Sequence, residues 1–271
     1  MIIDFHTHIF PDKLAPRAIE ALSATVGHMP PATDGSTAGL LRQMDAEGVD
    51  RAVVLNIATN GKQMHNVNDF AIMLNDSEGR LTGFGSVWPW EPAAAVEELH
   101  RLKEAGVKGV KFHPEYQDFY VDDDRMAPIY ETVNQLGLIT VFHAGLDIGY
   151  PPPAAGEPDA RPSPERFARI LPGFTAPLVL AHMGGYIQWL EVEKYLVGKN
   201  VYFDTSYCFT RIPMPQFARM AAAHGADRIL FGSDTPWSSP KFERMMVEAL
   251  EISEDEKAAI LGGNAARLLD M

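Results

Sequence analysis

Eight short apolar runs recur along the chain: "MIIDFH" (1–6), "RAVVLNIA" (51–58), "LTGFGSVW" (81–88), "GVKGVKFH" (106–113), "GLITVFHAG" (137–145), "PLVLAH" (177–182), "VYFDTS" (201–206) and "RILFGSD" (228–234). Their length and their Val, Ile and Phe content predict strands. Helical patterns separate them. In "EPAAAVEELHRLKEAG" (91–106), Ala95, Leu99 and Leu102 share one face and Gly106 is placed to end the helix. "DDDRMAPIYETVNQLG" (122–137) opens on carboxylates, suited to a helix N-terminus, and also closes on glycine. Strand–helix alternation implies right-handed crossovers and a parallel sheet. The predicted fold is therefore α/β, a closed (β/α)8 TIM barrel. The remainder, 253–271, reads as an extra C-terminal helix packed on the outside.

No repeat, linker or charge block divides the chain, so residues 1–271 are expected to form a single domain. Two connections are long. Residues 10–37 join the first helical stretch to a Pro/Gly segment, and 145–163 carry "GLDIGYPPPAAGEPDARPS". Loops of that length in a compact domain are usually functional covers or lack fixed structure. The second follows strand five and is expected at the catalytic face.

Composition narrows the class. The chain has 271 residues, 46% of them hydrophobic, enough for one large core. Its net charge of −13 makes nucleic acid and anionic membrane poor partners. Cys208 is the sole cysteine, so an intrachain disulfide is excluded. No charged leader precedes the first strand, and no apolar stretch reaches the roughly 18 residues that span a bilayer. A cytoplasmic location follows as the expectation, with a small-molecule substrate as partner and a homodimer as the expected assembly.

The candidate chemistry lies at the C-terminal strand ends, where such barrels carry their active sites. His6 and His8 end strand one, Lys111 and His113 strand four, His143 strand five, His182 strand six and Asp234 strand eight. Five of the nine histidines thus fall at equivalent positions. A lone strand histidine is usually a packed, hydrogen-bonded residue, but five facing one axis beside a carboxylate point to a metal. On a regular strand, His6 and His8 share a face with Asp4, while Ile3 and Phe5 point the other way. Imidazole and carboxylate suit zinc, with manganese also accepting such a set. A bound ion can activate a water for attack.

"FHTH", "GVKFHP", "FHAG", "LAHMGG" and "FGSDTPW" together resemble the amidohydrolase superfamily. They are most similar to its amidohydrolase-related (amidohydrolase 2) branch, which includes aminocarboxymuconate-semialdehyde decarboxylase and related decarboxylases and hydrolases. The resemblance spans residues 2 to about 237. It implies that His6, His8, His143 and Asp234 hold one divalent metal ion. It also implies that His182, with Asp234, acts on the bound water or substrate; in two-metal relatives His182 is a ligand too.

Other residues are assigned to the substrate. Lys111 is expected to pair with a carboxylate or a substrate anion, a metal-bridging carbamate being the alternative. His113, held extended by Pro114, lines the pocket or serves structure alone. Arg161 is suited either to clamp a carboxylate or to stay solvated. Tyr207, Trp88 and Trp237 wall the pocket or simply pack. Cys208 reads as a buried small residue.

Hydrolysis of a small, carboxylated or cyclic substrate by metal-activated water is the leading function. Non-oxidative decarboxylation is the alternative, since one ligand set serves both. A TatD-like nuclease would bear glutamate at the strand-four end, where this chain has "VKFH". A non-catalytic scaffold would be expected to have lost a ligand position, and none is missing.

Overall fold

The computed structural model describes residues 1–77, 79–150 and 162–271; Arg161 lies outside the described residues. Eight strands follow in order: β1 (Ile3–Thr7), β2 (Arg51–Leu55), β3 (Leu81–Phe84), β4 (Gly109–Phe112), β5 (Ile139–Phe142), β6 (Leu178–Leu180), β7 (Tyr202–Asp204) and β8 (Ile229–Leu230). All neighbours pair in parallel, β1-β2-β3 in one stretch and β4 through β8 in another. Two seams join them. At one, Gly85 N–H donates to Gly109 O (3.0 Å) and Lys111 N–H to Gly85 O (2.8 Å). At the other, Phe5 N–H donates to Phe231 O and Asp234 N–H to His6 O, both at 2.8 Å. The expected (β/α)8 barrel is thus present and closed.

The helices are α1 (Ala15–Thr25), α2 (Thr37–Glu47), α3 (Gly61–Ser77), α4 (Pro92–Glu104), α5 (Pro114–Gln117), α6 (Ala127–Leu136), α7 (Pro164–Ile170), α8 (Trp189–Tyr195), α9 (Met214–His224), α10 (Pro240–Glu248), α11 (Glu254–Ala258) and α12 (Asn264–Leu268). As the periodicity predicts, α4 buries Ala95, Leu99 and Leu102. The apolar runs are longer than the strands because their last residues leave the ladder and present side chains at the mouth.

Three clusters make the core. One lies inside the barrel: Ile3, Phe5, Val53, Leu55, Phe84, Val141, Val179 and Leu230. The others fill the layer between strands and helices. The C-terminal segment differs from expectation. Ala265 and Leu269 join the inner cluster, and Lys108 Nζ donates to Leu269 O (2.5 Å). The segment plugs the bottom of the barrel, because the strand starts leave an apolar opening that only buried side chains can fill. No helix among the described residues is long and apolar enough to cross a membrane.

β1 departs from regular alternation. Its register against β2 runs Asp4↔Ala52 and then Thr7↔Val54, so one extra residue sits between them. Such a bulge lets two successive side chains lie on one side. Phe5 points into the barrel, edge-on to Phe84 with ring centroids 5.8 Å apart, and His6 points to the mouth. Asp4 does not sit below the histidines as period two predicts. Its carboxylate accepts from Ser233 N–H (2.9 Å) and Ser233 Oγ–H (2.5 Å).

Candidate metal centre and active site

His6, His8 and Asp234 bring ligand atoms together at the mouth. His6 Nε2 lies 3.2 Å from His8 Nε2, and Asp234 Oδ1 lies 3.4 Å and 3.1 Å from the two. The far side of each ring decides what this means. His8 Nδ1 faces Leu55 O at 2.7 Å, and a carbonyl only accepts, so Nδ1 carries the proton. His6 Nδ1 donates to Asp204 Oδ2 at 2.8 Å. Burial, reinforced by Lys111, lowers the His6 pKa to about 3 and keeps that ring neutral. Both Nε2 atoms are then lone pairs, aimed at each other and at a carboxylate. Asp234 is the anionic donor of the three, its pKa lowered to about 2 against the cost of burial. Three electron pairs converging without a proton between them could hold a cation, and the donor set fits a divalent ion.

Asp204 is the residue that sequence reasoning missed. Beyond His6 it accepts from His182 N–H (2.9 Å) and Ser206 N–H (3.1 Å). The His6 ring, with the His182 imidazole and the Ser206 hydroxyl, holds it below the usual carboxylate range against the cost of burial. The signal lay inside "VYFDTS", an aspartate in an otherwise apolar strand. Ser206 O accepts from His182 Nδ1–H at 2.8 Å, leaving His182 Nε2 as an acceptor at the mouth. Lys111, fully buried, extends Nζ to 3.4 Å from His6 Nε2. Burial lowers its pKa to about 8 against the pull of Asp204 and Asp234. Among the described residues no carboxylate oxygen forms an ion pair with it.

His143 is not gathered with His6, His8 and Asp234. It groups with His113 and Asp147. Its Nδ1 lies 3.1 Å from His182 Nε2, and its ring stacks on His113 with centroids 4.1 Å apart. His143 Nε2 is buried without a hydrogen-bond partner. His113 is both wall and cap: its Nδ1 accepts from Tyr116 N–H (3.3 Å) at the start of α5, so its Nε2–H faces Asp147 Oδ2 at 3.2 Å. Burial lowers both imidazoles well below the usual range.

Backbone geometry is specialised here. His182, Tyr207 and Asp234 have φ of 57°, 56° and 66°. Left-handed backbone at such residues costs on the order of 1–3 kcal/mol each and persists only when surroundings enforce it. Asp204 does so for His182, and the His6 carbonyl for Asp234. Gly145 of "FHAG" is obligatory, since a Cβ there would stand 2.0 Å from Tyr186 N. At Gly232 of "FGSD" a Cβ would stand 2.8 Å from His6 Cβ.

These groups floor a cavity of about 680 Å3. Tyr207 and Trp237 line it, as do Lys111, His113, His143 and His182. Tyr207 Oη also reaches Met29 Sδ at 3.4 Å, beyond α1. Trp88 packs into the core instead. Cys208 is buried, as expected.

A family model described as amidohydrolase matches residues 3–271. No curated protein matches the sequence. Among solved structures, an uncharacterized TIM-barrel protein from Bordetella bronchiseptica shares 21% identity, with TM-score 0.77 over 99% of this chain and 98% of its own. The 5-carboxyvanillate decarboxylase of Sphingomonas paucimobilis shares 19%, with TM-score 0.73 over 100% and 99%. A dihydroxybenzoic acid decarboxylase from Polaromonas, solved with manganese and 2-nitroresorcinol, shares 19%, with TM-score 0.74 over 99% and 96%.

Proposed function

The chain belongs to the amidohydrolase family of metal-dependent enzymes, and from that premise we propose that it is a non-oxidative decarboxylase of a small, ring-hydroxylated aromatic acid. The sequence alone leaned toward hydrolysis. The observation that carries the change is the contrast between the polar floor and the apolar side chains above it, among them Leu14, Ile57, Val67 and Phe70. Such surroundings favour the loss of a charged carboxylate as neutral carbon dioxide. That the Sphingomonas and Polaromonas neighbours are named decarboxylases supports the same choice.

In this reading His6, His8 and Asp234 hold one divalent ion, with His143 as the further ligand implied by the resemblance. Two imidazoles and a carboxylate accept manganese or zinc. A bound ion would supply Lewis acidity toward the substrate's oxygens at that floor. Lys111 Nζ faces the anionic group. His182 Nε2, an acceptor because Nδ1–H is held by Ser206 O, takes the proton of the substrate's ring hydroxyl and passes it to the ring carbon that bears the carboxylate. The carbon–carboxylate bond then breaks, its electron pair restores the aromatic ring, and carbon dioxide leaves. Ser206 O keeps the His182 ring oriented, and Asp204 keeps His6 oriented.

The test is to incubate metal-loaded protein with hydroxybenzoates, and separately with amides, lactones and esters, following carbon dioxide and hydrolysis products. Carbon dioxide released only with metal is the expected result. Hydrolysis without carbon dioxide release would return the assignment to the hydrolases.

A further inference from the structure

The cavity is much larger than one aromatic ring requires. A void of about 150 Å3 accepts benzene, and this one holds about 680 Å3. Part of its wall is α1. Ala18, Ala21, Leu22 and Thr25 of that helix, with Leu14 just before it, line the cavity, and Arg17 borders the same space. Spaced at i, i+4, i+7, i+8 and i+11, they form one helix face. Leu14 and Ile148, both cavity-lining, remain 57% and 46% exposed, apolar surface that a ligand would cover. Asn56, also in the lining, has a buried Nδ2 with no hydrogen-bond partner. An amide donor left so is costly, and a ligand oxygen would satisfy it.

Resting on the reading above, we infer that the preferred substrate is an aromatic acid carrying an apolar substituent of several carbons. The acid group lies on the histidine floor, a ring oxygen accepts from Asn56, and the substituent lies along the α1 face. Ala18 and Ala21 set the room for it, because any larger residue there fills the wall.

Calorimetric titration of metal-loaded protein with resorcinol and its 5-methyl, 5-propyl and 5-pentyl derivatives tests this without turnover. Each buried methylene should tighten binding about fourfold. Ala18→Phe and Ala21→Phe, two variants so that one misfolding does not end the test, should each cut the pentyl-over-methyl gain at least tenfold. A flat series, or a gain that both folded variants retain, overturns the inference. The two readings fail separately. A rising series with no carbon dioxide released from the matching alkylated acids would sink the decarboxylase reading alone. Release from unsubstituted acids with a flat series would sink the substituent alone.

Discussion

Two groups of identical composition, two histidines and one aspartate, meet at the mouth of this barrel. In the first, His6 and His8 spend their Nδ1 protons on Asp204 and on Leu55 O, so their Nε2 lone pairs converge on Asp234. In the second, His113 receives a backbone N–H at Nδ1 and turns its Nε2–H to Asp147. That pair is already satisfied, with proton and carboxylate matched. The same residue types present converging lone pairs or a hydrogen-bonded wall according to which groups reach the far side of each ring. The His182–His143 contact at 3.1 Å is the border between them.

The comparison is broken most directly by removing the first group. His6→Ala with His8→Ala should lower bound metal from near one equivalent to near zero by elemental analysis. Unchanged metal would move the centre to His113, His143 and Asp147. At the border, His182→Ala should retain metal and lose turnover by roughly 10²–10⁴-fold, the usual contribution of a positioned proton donor. His182→Asn should retain more if only a hydrogen bond matters. Metal lost along with activity would make His182 a ligand.

The supporting carboxylates separate the groups more finely. Asp204→Asn should weaken metal binding about 10–100-fold, the range for groups that orient ligating histidines. Asp147→Asn should change it by no more than about twofold. Equal losses would mean that the two groups act as one centre. Competition with a chromogenic chelator reads both.

His224 carries the same rule to its limit and gives the smallest effect. Its Nδ1 accepts from Gly198 N–H (3.1 Å) and its Nε2–H donates to Val201 O (2.9 Å), while the ring stacks on Phe203. Burial lowers its pKa from 6.5 to about 4. The unfolded chain then binds this proton first as pH falls. Its stabilising contribution is whole above pH 6.5 and declines toward pH 4, by about 1 kcal/mol per unit. His224→Gln should remove that slope from chemical denaturation curves, and an unaltered slope would contradict the assignment.

Much of this was legible in the sequence. The eight runs located the strands, and "FHTH", "KFH", "LAH" and "GSD" located the residues at their ends. What was hidden depends on partners remote in the chain. Asp204 meets His6 across 198 positions, and although "VYFDTS" shows a carboxylate in an apolar strand, nothing local in it names the partner. The orientations of His143 and His113 follow from contacts with α5 and with each other, which no strand period encodes. Residues 10–37 read as a long connection, yet α1 within them buries Ala15 and Ile19 and turns another face to the cavity wall. The position of Asp4 failed for a different reason: alternation assumes an unbroken ladder, and β1 has one residue too many.

That surplus residue makes β1 behave as a message read in two frames. Before it, odd positions face inward; after it, even ones do. The presence of His6 at the mouth is thus written in the number of backbone units and not only in their identity. Deleting one residue between Asp4 and Thr7 would keep every downstream side chain and still turn the upstream half of the strand over. Substitution libraries, which preserve length, never sample that change. Insertion and deletion scanning across residues 3–8 does, and is the more searching probe of how this barrel acquired its centre.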